Sequence, residues 1–167
     1  MCGRYTLTSG LAILQRRFGF AAEQLNLEPR YNLAPSQQAP VIVMAGSYSV
    51  KMMRWGLVPS WAKVASIGYK MINARAETVG EKPSFKRPLQ RTRCLVLADG
   101  FFEWRKVPGE KTKLPLRFVL KSHEPFAFAG LWDTWIKPEG DELQTFTIIT
   151  TEANELVQPV HNRMPVI

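Results

Sequence analysis

The chain has 167 residues, 46% of them hydrophobic and 22% charged, a composition typical of a folded globular protein and unlike a disordered one. Its two cysteines are too few for a disulfide framework and suit a reducing compartment. No apolar run approaches the ~20 residues of a membrane span, and the first residues lack the basic and apolar segments of a signal peptide. We therefore expect one domain over residues 1–167, located in the cytoplasm.

The charge of the chain is strongly positive. Lys and Arg number 22 against 14 Asp and Glu, so the formal net charge is +8. A surplus of this size favours a polyanionic partner, because phosphate neutralisation releases counterions. An ordinary basic surface explains the charge equally well, so charge alone does not decide between the two.

The N-terminal part of the sequence predicts one strand and one helix. Gly3–Leu7 is typical of a short strand, and Ser9 is placed to cap a following helix. That helix carries its apolar residues on one face and is expected to end at Gly19. Residues 20–39 contain two prolines and a polar stretch, which predicts a long loop.

Strand patterns dominate the rest of the chain. The turn sequences Gly46-Ser47 and Asp99-Gly100 each predict a hairpin. Ala76–Gln90 is expected to be loop with a broken helix, and Thr151–Val157 a short helix. Strands are predicted over Pro40–Ala45, Tyr48–Trp55, Arg93–Ala98, Phe101–Lys106, Leu114–Leu120, Phe126–Trp135 and Gln144–Thr151. The fold class is therefore α+β, a strand-rich barrel or sandwich with a few peripheral helices.

Cys2 is the first candidate for chemistry. Methionine aminopeptidases generally remove Met1 before a small residue, and removal would leave Cys2 with both an α-amine and a thiol. Such a 1,2-aminothiol reacts with an aldehyde in two steps: the amine forms a Schiff base, and the thiol then closes a five-membered thiazolidine ring. Position alone favours the alternative, an incidental cysteine in an ordered first strand.

A second candidate segment surrounds Asn73. Its amide is able to hydrogen-bond an amine or a carbonyl oxygen, and the guanidinium of Arg75 suits phosphate. Alternation along a strand would place Asn73, Arg75 and Glu77 on one face. A solvent-facing polar edge accounts for the pattern equally well.

A third candidate is Glu103, which lies among aromatic and aliphatic neighbours. A partly desolvated carboxylate is suited to proton transfer. The adjacent Trp104 is one of five tryptophans, and aromatic side chains interleaved with Arg and Lys are typical of single-stranded nucleic-acid binding. For Trp132 and Trp135 we favour the core instead.

Histidine is rare in this chain. His161 precedes Arg163 near an expected change from helix to loop, which makes it a candidate acid–base group. His123 lies in a polar turn sequence and is expected to have no role. The two cysteines and two histidines are not paired at zinc-ligand spacing, so no metal site and no cofactor are predicted.

Several motifs occur together in one order along the whole chain. This order resembles the SRAP family, named for SOS response-associated peptidase. The matching motifs are Met-Cys-Gly-Arg-Tyr at residues 1–5, Arg-Tyr-Asn-Leu-Ala-Pro at 30–35, Trp-Gly-Leu-Val-Pro at 55–59, Asn-Ala-Arg-Ala-Glu at 73–77, the run at 100–104 and His-x-Arg-Met-Pro at 161–165.

The resemblance implies a strand-rich, barrel-like α+β fold that binds single-stranded DNA and captures abasic sites covalently. Cys2 would be the nucleophile, Asn73 would orient the reacting amine or sugar, and Glu103 would be the general acid–base. His161 would assist opening of the sugar ring and proton transfer. The residues implied to contact DNA or frame its groove are Arg4, Pro35, Trp61, Arg75, Trp104 and Arg163.

Two other functions remain open at this stage: a cysteine-dependent autopeptidase that frees Cys2, and a non-catalytic single-stranded DNA-binding module. The resemblance also implies a monomer, associated with the nucleoid when bound to DNA. Family members usually continue beyond the His-x-Arg-Met-Pro motif, so a C-terminal part of the family domain is expected to be absent from this chain. The covalent function holds only for the chain without Met1.

Overall fold

The computed structural model describes residues 2–21 and 25–167, and strands account for most of the regular structure. The helices are α1 (Leu11–Phe18), a 3-10 helix (Ala65–Lys70) and α2 (Pro83–Arg91). The strands are β1 (Tyr5–Leu7), β2 (Arg30–Leu33), β3 (Gln38–Ala45), β4 (Ser47–Trp55), β5 (Asn73–Arg75), β6 (Arg93–Ala98), β7 (Gly100–Lys106), β8 (Lys113–Phe118), β9 (Phe126–Ile136), β10 (Glu142–Glu152) and β11 (Arg163–Pro165). The expected α+β, strand-rich fold is confirmed.

A closed barrel forms the larger part of the molecule. The strands pair in the order β10-β4-β3-β6-β9, and β9 pairs again with β10 to close the ring. Only the β10–β4 contact within this ring is parallel. Closure removes the exposed sheet edges that invite aggregation. Where β9 and β10 separate beyond Ile148, Val166 bonds to both: its N–H donates to Ile149 and its carbonyl accepts from Ala129.

A second sheet, in the order β2-β1-β7-β8, packs against the barrel. Tyr5 on β1 lies edge-on to the rings of Trp55 and Phe128, with ring centroids 5.2 and 5.5 Å apart. Phe101 on β7 also contacts Phe128. These residues belong to one buried cluster that also contains Cys2. The nucleophile candidate therefore lies where the second sheet meets the barrel.

The predicted hairpin at Asp99-Gly100 is wrong. β6 pairs with β3 and β9 in the barrel, whereas β7 pairs with β1 and β8 in the second sheet. Asp99 is thus the crossover between the two sheets. Its carboxylate accepts hydrogen bonds from the hydroxyls of Thr6, Thr8 and Ser9, from the backbone N–H groups of Thr8 and Ser9, and from Arg117. These hydrogen bonds stabilise the buried charge of Asp99, and they form at a crossover between sheets where the sequence predicted a turn.

The same carboxylate explains the failed capping prediction for α1. The residue before the helix is Gly10, and no side chain caps it. The hydroxyl of Ser9 is instead engaged by Asp99. The predicted end of the helix is confirmed, because Gly19 takes the left-handed conformation there, with φ of 67°.

Of four further local predictions, two are wrong, one holds and one is right only in part. The expected loop at 20–39 contains β2 and the start of β3. Pairing of these strands with their neighbours overrides the local turn signals. Residues 22–24 of the expected loop lie outside the described part of the chain. The expected helix at 151–157 is the end of β10 followed by turns, because pairing with β11 extends the strand to Glu152. The first hairpin is confirmed around Gly46. The expected loop with a broken helix at 76–90 is right only in its first part: residues 76–82 form turns and a bend, but α2 is unbroken and continues through a buried Pro88.

We predict that Asp99→Asn lowers the free energy of unfolding by about 2–3 kcal/mol at pH 7, because several donors lose a charged acceptor. Burial alone would raise the pKa of Asp99, but the hydrogen bonds from Thr6, Thr8 and Ser9 hold that pKa below its usual value. The stabilisation is therefore present above the unfolded pKa of ~3.9 and is lost as the pH falls through the lower folded pKa.

Urea denaturation at pH 7 and in acid measures this effect. Asp141→Asn is the matched control, because Asp141 is exposed and pairs only at the surface with Lys137. Equal unfolding midpoints for the Asp99→Asn and Asp141→Asn proteins at pH 7 would contradict the prediction.

Candidate functional site

Cys2 lies three residues before the start of β1 and is fully buried, with 0% of its surface exposed. Its thiol points to the carbonyl of Arg4, with 4.0 Å between Sγ and O. Its own carbonyl accepts a hydrogen bond of 2.9 Å from the side-chain amide of Asn73. The structure therefore brings together the first two residues of the expected site.

Asn73 occupies the first position of β5, which is fixed by parallel pairing with β10. While Nδ2 donates to Cys2, Oδ1 is buried and has no hydrogen-bond partner among the described residues. A buried acceptor without a donor costs about 1–3 kcal/mol. An arriving N–H or O–H group beside Cys2 would remove this cost.

Glu103 lies on the inner face of β7. Alternation along this strand puts Glu103 on the same side as buried Phe101, and only 2% of Glu103 is exposed. Burial raises the pKa of the Cys2 thiol, and the negative charge of Glu103 raises it further. The thiol is therefore protonated near neutral pH, and a carboxylate lies within electrostatic range of it.

His161 lines an open cleft of about 460 Å³ together with Arg75, Arg163 and Asn162. The Nδ1 atom of His161 accepts a hydrogen bond of 3.0 Å from the backbone N–H of Arg163, so in the neutral ring the proton lies on Nε2. The described residues that line this cleft do not include Cys2.

Strand β5 links the two parts of the site. It begins at Asn73, which bonds to Cys2, and ends at Arg75, which lines the cleft with His161. The expected shared face is present in part: Asn73 and Arg75 alternate with buried Ala74, whereas Glu77 lies in the following turn and points to Arg163.

Arg163 is already occupied within the protein. Its two terminal nitrogens donate to the two carboxylate oxygens of Glu77, at 2.7 and 3.0 Å, and one of them also bonds to the carbonyl of Thr150. The hydrogen bond from Arg163 lowers the pKa of Glu77 to about 2. Arg163 thus joins β11 to the turn after β5, which limits its availability to a phosphate.

The other DNA-contact candidates lie at the surface to different extents. Arg4 donates to the side-chain oxygen of Asn32 at 3.0 Å, and Trp104 is half-buried beside Phe102. Trp61 is 59% exposed, which leaves its ring available for stacking. The half-buried Pro35 precedes Ser36, whose φ of 72° turns the chain into β3.

Sequence reasoning missed an aromatic–cation pair formed by Arg54 and Tyr69. The guanidinium of Arg54 lies over the ring of Tyr69, 5.9 Å from its centroid, and Tyr69 is 64% exposed. The 3-10 helix carries Tyr69, and a close contact between Gly56 and Gly68 holds that helix against the end of β4. A Cβ at either glycine would lie 2.6 Å from a carbonyl oxygen of the other. Nothing in the local spacing indicates this approach.

The two tryptophans expected in the core differ in burial. Trp135 is buried, as expected, while Trp132 is half-buried beneath the ammonium of Lys51. Among residues 2–21 and 25–167, no group of three or more His, Cys, Asp or Glu is placed to hold a metal ion. Of the helices in this part of the chain, none has the length and apolar character required to cross a membrane.

Comparison with known sequences decides the family. The profile described as SOS response associated peptidase (SRAP) matches residues 1–167. The chain belongs to the SRAP family. The resemblance carried by the six motifs is thereby confirmed.

This SRAP chain is 50% identical to the abasic site processing protein YoqW of Bacillus subtilis (strain 168), over all of this chain and 75% of that protein. It is 35% identical to the abasic site processing protein HMCES of Gallus gallus, over all of this chain and 62% of that protein. A crystal structure of a protein from Bacteroides thetaiotaomicron superposes with a TM-score of 0.89 at 31% identity, covering 98% of the SRAP chain and 75% of the other.

We predict that Glu77→Gln raises the affinity of this SRAP protein for DNA roughly two- to fivefold at low salt. The substitution removes the charge that neutralises Arg163, while the carbonyl of Thr150 still holds the guanidinium in place. Fluorescence anisotropy with an undamaged oligonucleotide measures the change.

Glu139→Gln is the matched control, because it removes one negative charge from an exposed pair with Lys137. An equal gain for both variants would mean that net charge alone acts, and that Arg163 does not contact DNA.

Proposed function

We propose that this protein recognises abasic sites in single-stranded DNA and captures them covalently through Cys2, after Met1 has been removed. The proposal is carried by one observation: a second-position cysteine is held by Asn73 within electrostatic range of buried Glu103. Membership of the SRAP family, whose relatives include proteins named for abasic site processing, supports DNA containing abasic sites as the substrate.

The chemistry balances without a cofactor. The α-amine of Cys2 attacks the aldehyde carbon of the ring-opened deoxyribose, and loss of one water gives a Schiff base. The thiol sulfur then bonds to the same carbon, and the thiol proton finishes on the nitrogen. The product is a thiazolidine that links the protein to the DNA.

The buried thiol requires a proton acceptor, and we assign this role to Glu103. Because burial raises the pKa of the Cys2 thiol, very little thiolate exists at neutral pH. Ring closure then requires a group that accepts the thiol proton as the C–S bond forms, and Glu103 is the carboxylate within range. Asn73 Oδ1, the buried acceptor, is suited to orienting the amine or a sugar hydroxyl beside it.

The cleft with His161, and the exposed arginines and tryptophans named below, would bind the DNA. His161 would assist proton transfer as the sugar ring opens, with its Nε2 directed away from the backbone contact at Nδ1. Arg4 and Arg75 would contact phosphates, and Trp61 and Trp104 would offer rings for stacking. The protein would act as a monomer, in the cytoplasm and at the nucleoid.

The α-amine of Cys2 is available only in a chain without Met1, which lies outside the described residues. Autoproteolytic removal of Met1 is a second candidate activity, favoured by the peptidase in the family's description. It would use Cys2 as the nucleophile on the preceding carbonyl and water to release the product. Mass spectrometry tests this activity. Retention of Met1 in Cys2→Ala, but not in the native protein, would support it. Because Ala is also small enough for aminopeptidase processing, loss of Met1 from both proteins would assign its removal to an aminopeptidase.

We predict that the native protein forms an adduct with abasic single-stranded DNA that survives denaturing electrophoresis without borohydride. Cys2→Ala retains an α-amine but has no thiol, so its adduct should stop at the Schiff base and appear only after borohydride reduction. Cys94→Ala is the matched control, because Cys94 is also buried but lies on β6 in the barrel. Borohydride-independent adduct formation by Cys2→Ala would overturn the proposal, and a native protein that binds without any adduct would be a non-catalytic module.

We further predict that Glu103→Gln slows adduct formation by roughly 10²–10⁴-fold at neutral pH, because the proton acceptor is lost. The affinity for undamaged single-stranded DNA should stay within twofold, since Glu103 is buried. Single-turnover rates of adduct formation, measured across pH at saturating DNA, separate the loss of the proton acceptor from any change in DNA affinity. An unchanged rate would remove Glu103 from the mechanism.

A further inference from the structure

Helix α2 presents a face that carries only positive charge. Phe85 and Pro88 are buried against the rest of the protein and fix which side of the helix faces outward. No Asp or Glu occurs from residue 82 to residue 98. The cations on and beside the helix are all exposed, and we call them the α2 basic face: Lys82, Lys86, Arg87, Arg91 and Arg93.

These cations are not neutralised within the described part of the protein. The ion pairs found there involve other cations, such as Arg17 with Glu124 and Lys137 with Asp141. Arg87 and Arg91 are four residues apart on the helix, a spacing at which like charges repel each other, and Lys82 is the N-cap residue of the helix, where the helix dipole disfavours a cation. The face therefore weakens the helix slightly, and an anionic partner would remove this repulsion.

The α2 basic face continues into the proposed DNA surface. Arg87 donates a hydrogen bond of 3.1 Å to the hydroxyl of Ser60, and Ser60 donates its backbone N–H to Asp133. The next residue is Trp61, the exposed ring assigned above to stacking. The side chain of Arg87 thus reaches the segment that carries this ring.

We propose that the α2 basic face binds the phosphates of the single-stranded DNA that flanks the lesion, on the side of the lesion where the strand passes Trp61. The proposal rests on the proposed function for the identity of the DNA, and adds where its flanking strand runs. A nine-residue helix is about 13 Å long, enough for roughly four phosphates at a stacked spacing of 3.4 Å.

The arrangement of α2 favours DNA over an anionic membrane. A helix that binds a membrane surface buries an apolar face in the lipid. In α2 the apolar residues Phe85 and Pro88 are already buried within the protein, and the outward side is polar. The charges are therefore suited to a partner that offers phosphates without an apolar layer.

The test compares two triple substitutions, each of which removes three exposed positive charges. The test variant is Lys82→Gln, Lys86→Gln and Arg91→Gln, which leaves Arg87 and its contact with Ser60 intact. The control variant carries three substitutions at exposed residues that have no assigned role in DNA binding: Arg16→Gln and Arg17→Gln on α1, and Lys121→Gln after β8. Thermal melting confirms that both variants are folded.

Affinity is measured against salt for abasic oligonucleotides of roughly 16 nucleotides, with the lesion near either the 5′ or the 3′ end, and for a short one of roughly 4 nucleotides. We expect the test variant to lower the slope of log K against log salt by about 2 on one of the two long oligonucleotides, which corresponds to about three phosphate contacts. The short oligonucleotide should show native behaviour.

Three outcomes would overturn the proposal: a native slope for the test variant on both long oligonucleotides, equal losses in the test and control variants, or loss of binding to phosphatidylserine vesicles without loss of DNA binding. The yield of covalent adduct at saturating DNA should stay native in the test variant. That yield reports on the proposed function, so failure of the flanking contact is distinguishable from failure of covalent capture.

Discussion

One buried carboxylate connects the parts of this fold. Asp99 lies where the chain leaves the barrel for the second sheet, and it accepts hydrogen bonds from Thr6 in β1, from Ser9 after β1 and from Arg117 on β8. An ionised group in this position is stable only while its donors stay in place. The position of β1, and with it the position of Cys2, therefore depends on an interaction made far along the chain.

The candidate site has a buried part and a part that lines an open cleft. Cys2, Asn73 and Glu103 are wholly or partly buried where the second sheet meets the barrel, whereas His161 and Arg75 line an open cleft. In the proposed reaction the amine acts first and the thiol second, and this order agrees with a thiol whose pKa is raised by burial. The open cleft suits a charged, solvated polymer. Strand β5 contributes one residue to each part.

Sequence patterns predicted those features that depend on local periodicity or on motifs. Strand alternation predicted most of the barrel, and the hairpin at Gly46 and the helix end at Gly19 are confirmed. Errors occurred where a distant partner outweighs the local signal: Asp99-Gly100 has the sequence of a turn, but Thr6 to Ser9 supply its hydrogen bonds. The site residues were found through motif order, yet no pattern along the chain indicates that Arg163 pairs with Glu77, or that Arg54 lies over Tyr69.

The burial of Cys2 has a consequence for the timing of biosynthesis. A peptidase that removes Met1 needs an extended N-terminus, but in the folded chain Cys2 is fully buried and the segment after β1 is fixed by Asp99, some 90 residues later. At a translation rate of about 5–20 residues per second, those residues take roughly 5 to 20 s to synthesise. During that interval the N-terminus has left the ribosome, but Asp99 has not yet been synthesised. Removal of Met1 by an aminopeptidase is thus best suited to the nascent chain.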